Sequence, residues 1–137
     1  MSRPFEGVRV IDLTHVLAGP FCAYQLAVFG AETIKVEAPD EPDQAREGGS
    51  DRDLNERRMG TLYLAQGANK RSITLDLKQC EGQEVLKRLV AGADVVIENY
   101  RSGALAALGL GYEDLKVVNP TLIYCSMTGY GQDGRKG

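Results

Sequence analysis

The sequence has 137 residues, 43% of them hydrophobic and 26% charged, with a formal net charge of −3, which is the length and balance of one packed domain. The slight acidic surplus disfavours a nucleic-acid binder, and no stretch approaches the ~20 apolar residues that span a bilayer. The opening MSRPFEGVRV lacks the apolar segment of a secretory signal, and Cys22, Cys80 and Cys125 form no metal-ligand pattern. The expectation is therefore a single domain over residues 1–137, with no metal and no membrane partner, in a reducing, cytoplasmic setting.

In chain order, residues 8–13 (VRVIDL) are short and β-branched and read as a strand. Gly19-Pro20 punctuates, and residues 21–29 carry Ala, Tyr, Leu and Val at helical spacing, with Gly30 where a terminating glycine belongs. Residues 32–37 (ETIKVE) alternate as a second strand, so residues 8–37 make a βαβ unit with a parallel pair. Residues 38–59 are polar and almost free of apolar side chains, which predicts a long loop at about 38–60 of a length that is usually functional, disordered or held by a partner. A short helix near 62–65 follows. Residues 71–77 (RSITLDL) read as a third strand. Residues 81–90 place Val85, Leu86, Leu89 and Val90 on one helical face. Residues 93–98 predict a fourth strand, 103–108 and 112–118 two short helices around Gly109-Leu110-Gly111, and 121–126 a fifth strand that runs into a glycine turn at 129–134. This order predicts an open, mostly parallel α/β sheet of the doubly wound type.

Ligands of such sheets bind at the carboxyl ends of the strands. Those ends are 15–18, Ala38 onward, Lys78, Asn99-Tyr100 and 128–134. Residues 129–134 match G-x-G-x-x-G formally, but a dinucleotide fingerprint needs a helix opening at the third glycine and an acid ~20 residues on; the sequence favours a mobile glycine turn. The segment 14–20 either offers helix N–H groups to an anion or forms a tight helix entry. His15 is the only histidine, and it is either a hydrogen-bonded structural group or a functional one. Lys70-Arg71 reads as a solvated charge pair or a phosphate clamp, Asp12 and Asp76 as buried, hydrogen-bonded strand residues, and the cysteines as small core residues.

Several blocks (8–20, 30–37, 69–73 with 75–78, 94–101, and 119–134) resemble, in order and spacing, the family III CoA transferases, the group of formyl-CoA transferase, carnitine-CoA transferase and α-methylacyl-CoA racemase. The resemblance implies a Rossmann-like α/β domain, with helices on both faces of the sheet, that binds coenzyme A. It implies that His15, Val16 and Ala18 line the CoA site, that Leu75 and Lys78 lie near the adenine and its phosphates, and that Asn99 and Tyr100 follow the pantetheine path. Ala38 and Ala107 stand where some members carry arginine. Each such loss removes a charge-assisted contact of order 1.5–3 kcal/mol, and Arg46 and Arg101 are the candidates to replace them. The family's nucleophile is an aspartate that forms a mixed anhydride with the acyl group and then a thioester with CoA. It matches no residue of this sequence, and neither does the racemase acid–base pair. The resemblance thus implies an N-terminal CoA-binding portion, inactive alone, that takes CoA or acyl-CoA and forms a homodimer or another self-association. A non-catalytic interaction module and a portion of a racemase-like enzyme are the alternatives.

Overall fold

A computed structural model describes residues 2–134. Its elements are β1 (Arg9–Asp12), α1 (Ala18–Val28), β2 (Glu32–Glu37), α2 (Arg52–Glu56), α3 (Thr61–Gly67), β3 (Lys70–Thr74), α4 (Cys80–Ala91), β4 (Val95–Glu98), α5 (Tyr112–Val118) and β5 (Ile123–Ser126), with 3-10 turns at Gln44–Glu47 and Ala106–Leu108. The five strands are all parallel and ordered β3-β2-β1-β4-β5. Strand alternation sends successive side chains to opposite faces. Ile11 and Val96 face Leu86 and Val90 of α4 and Leu115 of α5, whereas Val10 and Ile97 face Ala23 of α1. Both faces are covered, which is why these strands read as apolar runs.

Helix α1 begins earlier than the expected 21–29, at Ala18. Proline is tolerated in a first helical turn, where its missing N–H has no intrahelical partner anyway, so Pro20 lies inside the helix and does not precede it. Gly19, Pro20, Ala23 and Ala27 are its buried residues. Their small size lets the helix sit close to the sheet: a Cβ on Gly19 would lie 2.4 Å from the Thr14 side chain.

The segment 38–59 is not a featureless loop. Asp43 caps the 3-10 turn, accepting the Ala45 N–H at 3.0 Å, and Asp51 caps α2, accepting the Leu54 N–H at 3.0 Å. Carboxylates at helix N-caps satisfy otherwise orphaned amides, so a polar composition here encodes short helical turns. β3 is shorter than the expected 71–77. Asp76 accepts the Lys78 N–H at 2.9 Å, a local turn that competes with the ladder, and it is therefore a half-buried turn residue and not a strand residue. The expected helix at 103–108 reduces to the Ala106–Leu108 turn, because Gly103 (φ +77°) and Gly109 (φ +67°) are left-handed. Cys80 is exposed at the start of α4, so only Cys22 and Cys125 fit the reading of partly buried, space-filling cysteines.

Candidate functional site

β1 lies between β2 and β4, and the chain leaves its two neighbours on opposite sides, so the carboxyl ends of β1 and β4 flank the point where the strand order reverses. Open α/β sheets form their ligand crevice there. Two loops meet at this point through reciprocal hydrogen bonds: the His15 N–H donates to Asn99 Oδ1 at 2.8 Å, and Asn99 Nδ2 donates to the His15 carbonyl at 2.9 Å. His15 Nε2 lies 3.2 Å from the Tyr100 hydroxyl, with the rings edge to face at 5.2 Å. Burial, and then the charge of Lys35, hold the His15 pKa below its ordinary 6.5.

His15 and Tyr100 form one wall of a recess of about 140 Å³ whose other walls include Leu75, Asp76, Lys78, Glu37, Glu41, Leu105 and Leu108. Beside it, Ala18, Asn99, Tyr100 and Arg101 line an open cleft of about 850 Å³ bounded by Met127 to Gly131. Val16 lies on the side of His15 that faces Asp40 to Asp43, around a hollow of about 480 Å³. The seven expected CoA-site residues (His15, Val16, Ala18, Leu75, Lys78, Asn99 and Tyr100) thus fall on three contiguous depressions joined through His15 and Tyr100.

Beneath this rim lies a buried charge network. Lys35 Nζ donates to Asp43 Oδ2 at 3.0 Å and to the Thr14 carbonyl, while Asp43 Oδ1 accepts the Val16 N–H at 2.9 Å. Burial opposes ionisation of Asp43, but the Ala45 N–H, the Lys35 charge and the Val16 N–H outweigh it and hold the carboxyl below its usual range. Glu37 behaves alike: burial opposes its ionisation, and Arg46, with bonds of 2.8 and 2.6 Å, together with the Asp43 N–H, outweighs that. The Arg46 guanidinium also lies 3.7 Å over the Tyr63 ring, and burial followed by the Glu37 charge pushes the Tyr63 hydroxyl up to about 12.

The structure corrects the sequence reading of one charge, Lys70, and places the others. Lys70 is neither solvated nor open to a phosphate: its side chain is buried, and Nζ donates to Asp12 Oδ2 at 2.8 Å and to the Pro20 carbonyl at 2.9 Å. Arg71 is exposed and paired with Glu32 at 2.8 Å. Of the two candidates to replace the arginines missing at 38 and 107, Arg46 is paired with Glu37, whereas Arg101 is exposed on the open cleft. The glycine turn carries hydrogen bonds of its own: the Gly131 N–H donates to Thr128 Oγ1 at 2.7 Å, Gln132 Nε2 donates to Ser126 Oγ, and Ser102 Oγ donates to Gln132 Oε1 at 2.9 Å. Asp12 is fully buried and hydrogen-bonded, as its strand position predicts.

The residues that sequence reasoning missed are Lys35, Asp43 and Glu41. Lys35 offered a signal, since it occupies an alternating strand whose two faces must both be covered. Asp43 offered only its aptness as an N-cap, which says nothing of the second loop it holds. Glu41 offered none.

The residue range 5–137 matches the model of CoA-transferase family III. The chain is 48% identical over 132 residues to human succinyl-CoA:glutarate CoA-transferase, covering 96% of this chain and 30% of that protein. It is 49% identical over 132 residues to succinyl-CoA–D-citramalate CoA-transferase of Chloroflexus aurantiacus, covering 96% of this chain and 32% of that protein. A crystal structure of a CaiB/BaiF family protein from Brucella suis superposes with a TM-score of 0.86 at 43% identity, over 98% of this chain and 35% of that one. The chain therefore spans about a third of the length of the relatives it matches. A family match over residues 5–137, nearly the whole of the sequence, shows that this chain belongs to CoA-transferase family III.

Proposed function

We propose that this chain forms the coenzyme A-binding part of a family III CoA transferase, with Lys78 and Leu75 at the adenine and phosphate end, Asn99 and Tyr100 beside the pantetheine arm, and the backbone of His15 to Ala18 lining the path between. The single observation that carries this reading is the convergence of His15, Leu75, Lys78 and Tyr100, drawn from the ends of three different strands, on one recess. Lys78 brings a cation that is three-quarters exposed and paired with Glu41 at 3.8 Å, and a loosely held surface cation is available to a phosphate. Tyr100 and Leu105 give the recess apolar area against which a pantetheine chain packs.

The part proposed for this chain is binding, not turnover. Its buried carboxylates are engaged: Asp12 by Thr14 and Lys70, Asp43 by Val16, Ala45 and Lys35, Glu37 by Arg46, and Glu98 by the Tyr100 N–H and Ser126. A carboxylate acting as acyl acceptor must be free to attack, so none of these four buried carboxylates is proposed as the nucleophile. The acyl partners named for the relatives, succinate with glutarate or D-citramalate, indicate small dicarboxylic acids as the substrate class of the complete reaction.

Self-association accompanies this reading. Leu17, Phe21, Val28 and Phe29 of α1 and its flanks are exposed, with Phe5 beside Phe29, and exposed apolar clusters of this kind mark protein contacts. Size-exclusion chromatography with light scattering tests it: a mass above the monomer is expected. The three free cysteines fit a reducing compartment, proposed as the cytoplasm.

Calorimetric titration with CoA tests the main reading. CoA is expected to bind, and Lys78→Ala is expected to weaken it by roughly tenfold or more, the worth of a charge-assisted contact, with pantetheine affinity unchanged. Absence of binding at millimolar CoA, or robust acyl transfer by this chain alone, contradicts the proposal.

A further inference from the structure

We propose that Asp43 is a positioning residue for the coenzyme site: it holds the Val16 amide, and with it the loop between β1 and α1, in a backbone conformation that valine does not favour. The proposal rests on the CoA reading above.

Val16 has φ +71°. A β-branched side chain in the left-handed region is a genuine outlier, because its Cβ crowds the following carbonyl oxygen. Val16 is 48% exposed, so packing offsets the strain only in part. Other interactions must hold the residue: Asn99 Nδ2 donates to the His15 carbonyl of the same peptide unit at 2.9 Å, and the Val16 N–H donates to Asp43 Oδ1 at 2.9 Å across 27 residues of sequence.

Asp43 is well made to be that anchor. It is 1% exposed. Oδ1 also accepts the Ala45 N–H at 3.0 Å, and Oδ2 accepts from Lys35, whose side chain is 3% exposed. Lys35 in turn donates to the Thr14 carbonyl. One carboxylate and one ammonium thus grip the loop at Thr14 and at Val16 and tie it to β2 and to the 43–47 turn. A carboxylate needed only to neutralise Lys35 has no reason to reach the Val16 amide. His15 and Ala18, which flank the strained residue, face the recess and the open cleft respectively, so the twist at Val16 sets how the loop presents both. The segment 38–47 acts here as an anchor beneath the site and not as a lid over it.

The test is calorimetric CoA binding by the whole chain in a mutant cycle, with Val16 amide hydrogen exchange followed by NMR. Glycine adopts positive φ without penalty, so the strain that Asp43 counters vanishes in Val16→Gly. Asp43→Ala is expected to weaken CoA binding by roughly tenfold, and this loss is expected to shrink by at least about threefold in the Val16→Gly background. Asp43→Asn keeps an acceptor for the amide and is expected to hold the Val16 N–H protected from exchange. Should Asp43→Ala not fold, Lys35→Met/Asp43→Ala, which leaves no unpaired buried charge, takes its place in the cycle. Equal losses in the two backgrounds, or a Val16 amide that exchanges freely in the wild type, overturn the role of Asp43. A wild type that binds no CoA at millimolar concentration, with its Val16 amide still protected, overturns the coenzyme reading and the proposal with it.

Discussion

Lys78 and Glu41 face each other at 3.8 Å, with side chains 75% and 78% exposed. An exposed pair this loose contributes little to stability, but under the proposed coenzyme reading Glu41 would compete with an incoming phosphate for the same cation and add a like charge to the recess. Glu41→Gln is expected to tighten CoA binding about two- to threefold at low salt, with the gain fading as salt screens it; titrations at two ionic strengths check this. Lys70 illustrates the opposite regime. Its side chain and that of Asp12 are both buried, and removing one partner of such a pair leaves an uncompensated charge. Lys70→Met is expected to destabilise the chain by about 3–5 kcal/mol, and the Asp12→Asn/Lys70→Met pair to recover much of that, as urea unfolding would show.

Helix α1 is the element on which the site's geometry turns, since its first residues carry the loop that follows β1. Its approach to the sheet is set by small residues, and Gly19 is the tightest of them, with the Thr14 side chain 2.4 Å from where a Cβ would stand. Gly19→Ala must therefore lift the helix or push Thr14 off Asp12. A cost of about 1–3 kcal/mol is expected for such overpacking, together with weaker CoA binding, because Ala18 moves with the helix. On the other face, Leu86 of α4 is fully buried. Leu86→Ala is expected to cost about 2–5 kcal/mol through the cavity it leaves, while CoA affinity of the folded fraction is unchanged. A comparison of unfolding curves with calorimetry distinguishes the two helices: one couples to the site, the other only to the core.

For the whole molecule, the buried charges set a pH dependence whose sign follows from the folded-state shifts. Asp43 and Glu37 ionise more readily in the fold than at their ordinary 3.8 and 4.5, so their contribution is present above those values and is lost as pH falls through the lower folded ones. His15 is also shifted down, from 6.5. The unfolded chain takes up its proton first, so stability already declines as pH falls below 6.5. Thermal unfolding between pH 7.5 and 3 is expected to show a shallow fall in Tm below about 6.5 and a steep one below about 4. His15→Gln is expected to abolish the first stage only. A wild-type Tm that stays level from pH 7 to 5 contradicts the assignment to His15.

Strands and helices were legible because apolar periodicity is local: the alternation in 32–37 and the 85, 86, 89, 90 stripe each lie within one element and report which face it buries. Parallel pairing followed from helices separating strands, and the strand-end rule located His15, Lys78, Asn99 and Tyr100 before any coordinates. The fate of the charges was not legible. Whether Lys70 meets solvent or Asp12, and whether Asp43 caps a turn or also grips Val16, depends on partners 58 and 27 residues away. A buried ion is tolerated only where a distant partner and donors converge on it, and that convergence is a product of strand order and helix packing. Composition and spacing therefore determined the architecture and the strand-end rim, while the fold decided which charged side chains stay exposed on that rim and which are buried in the scaffold beneath it.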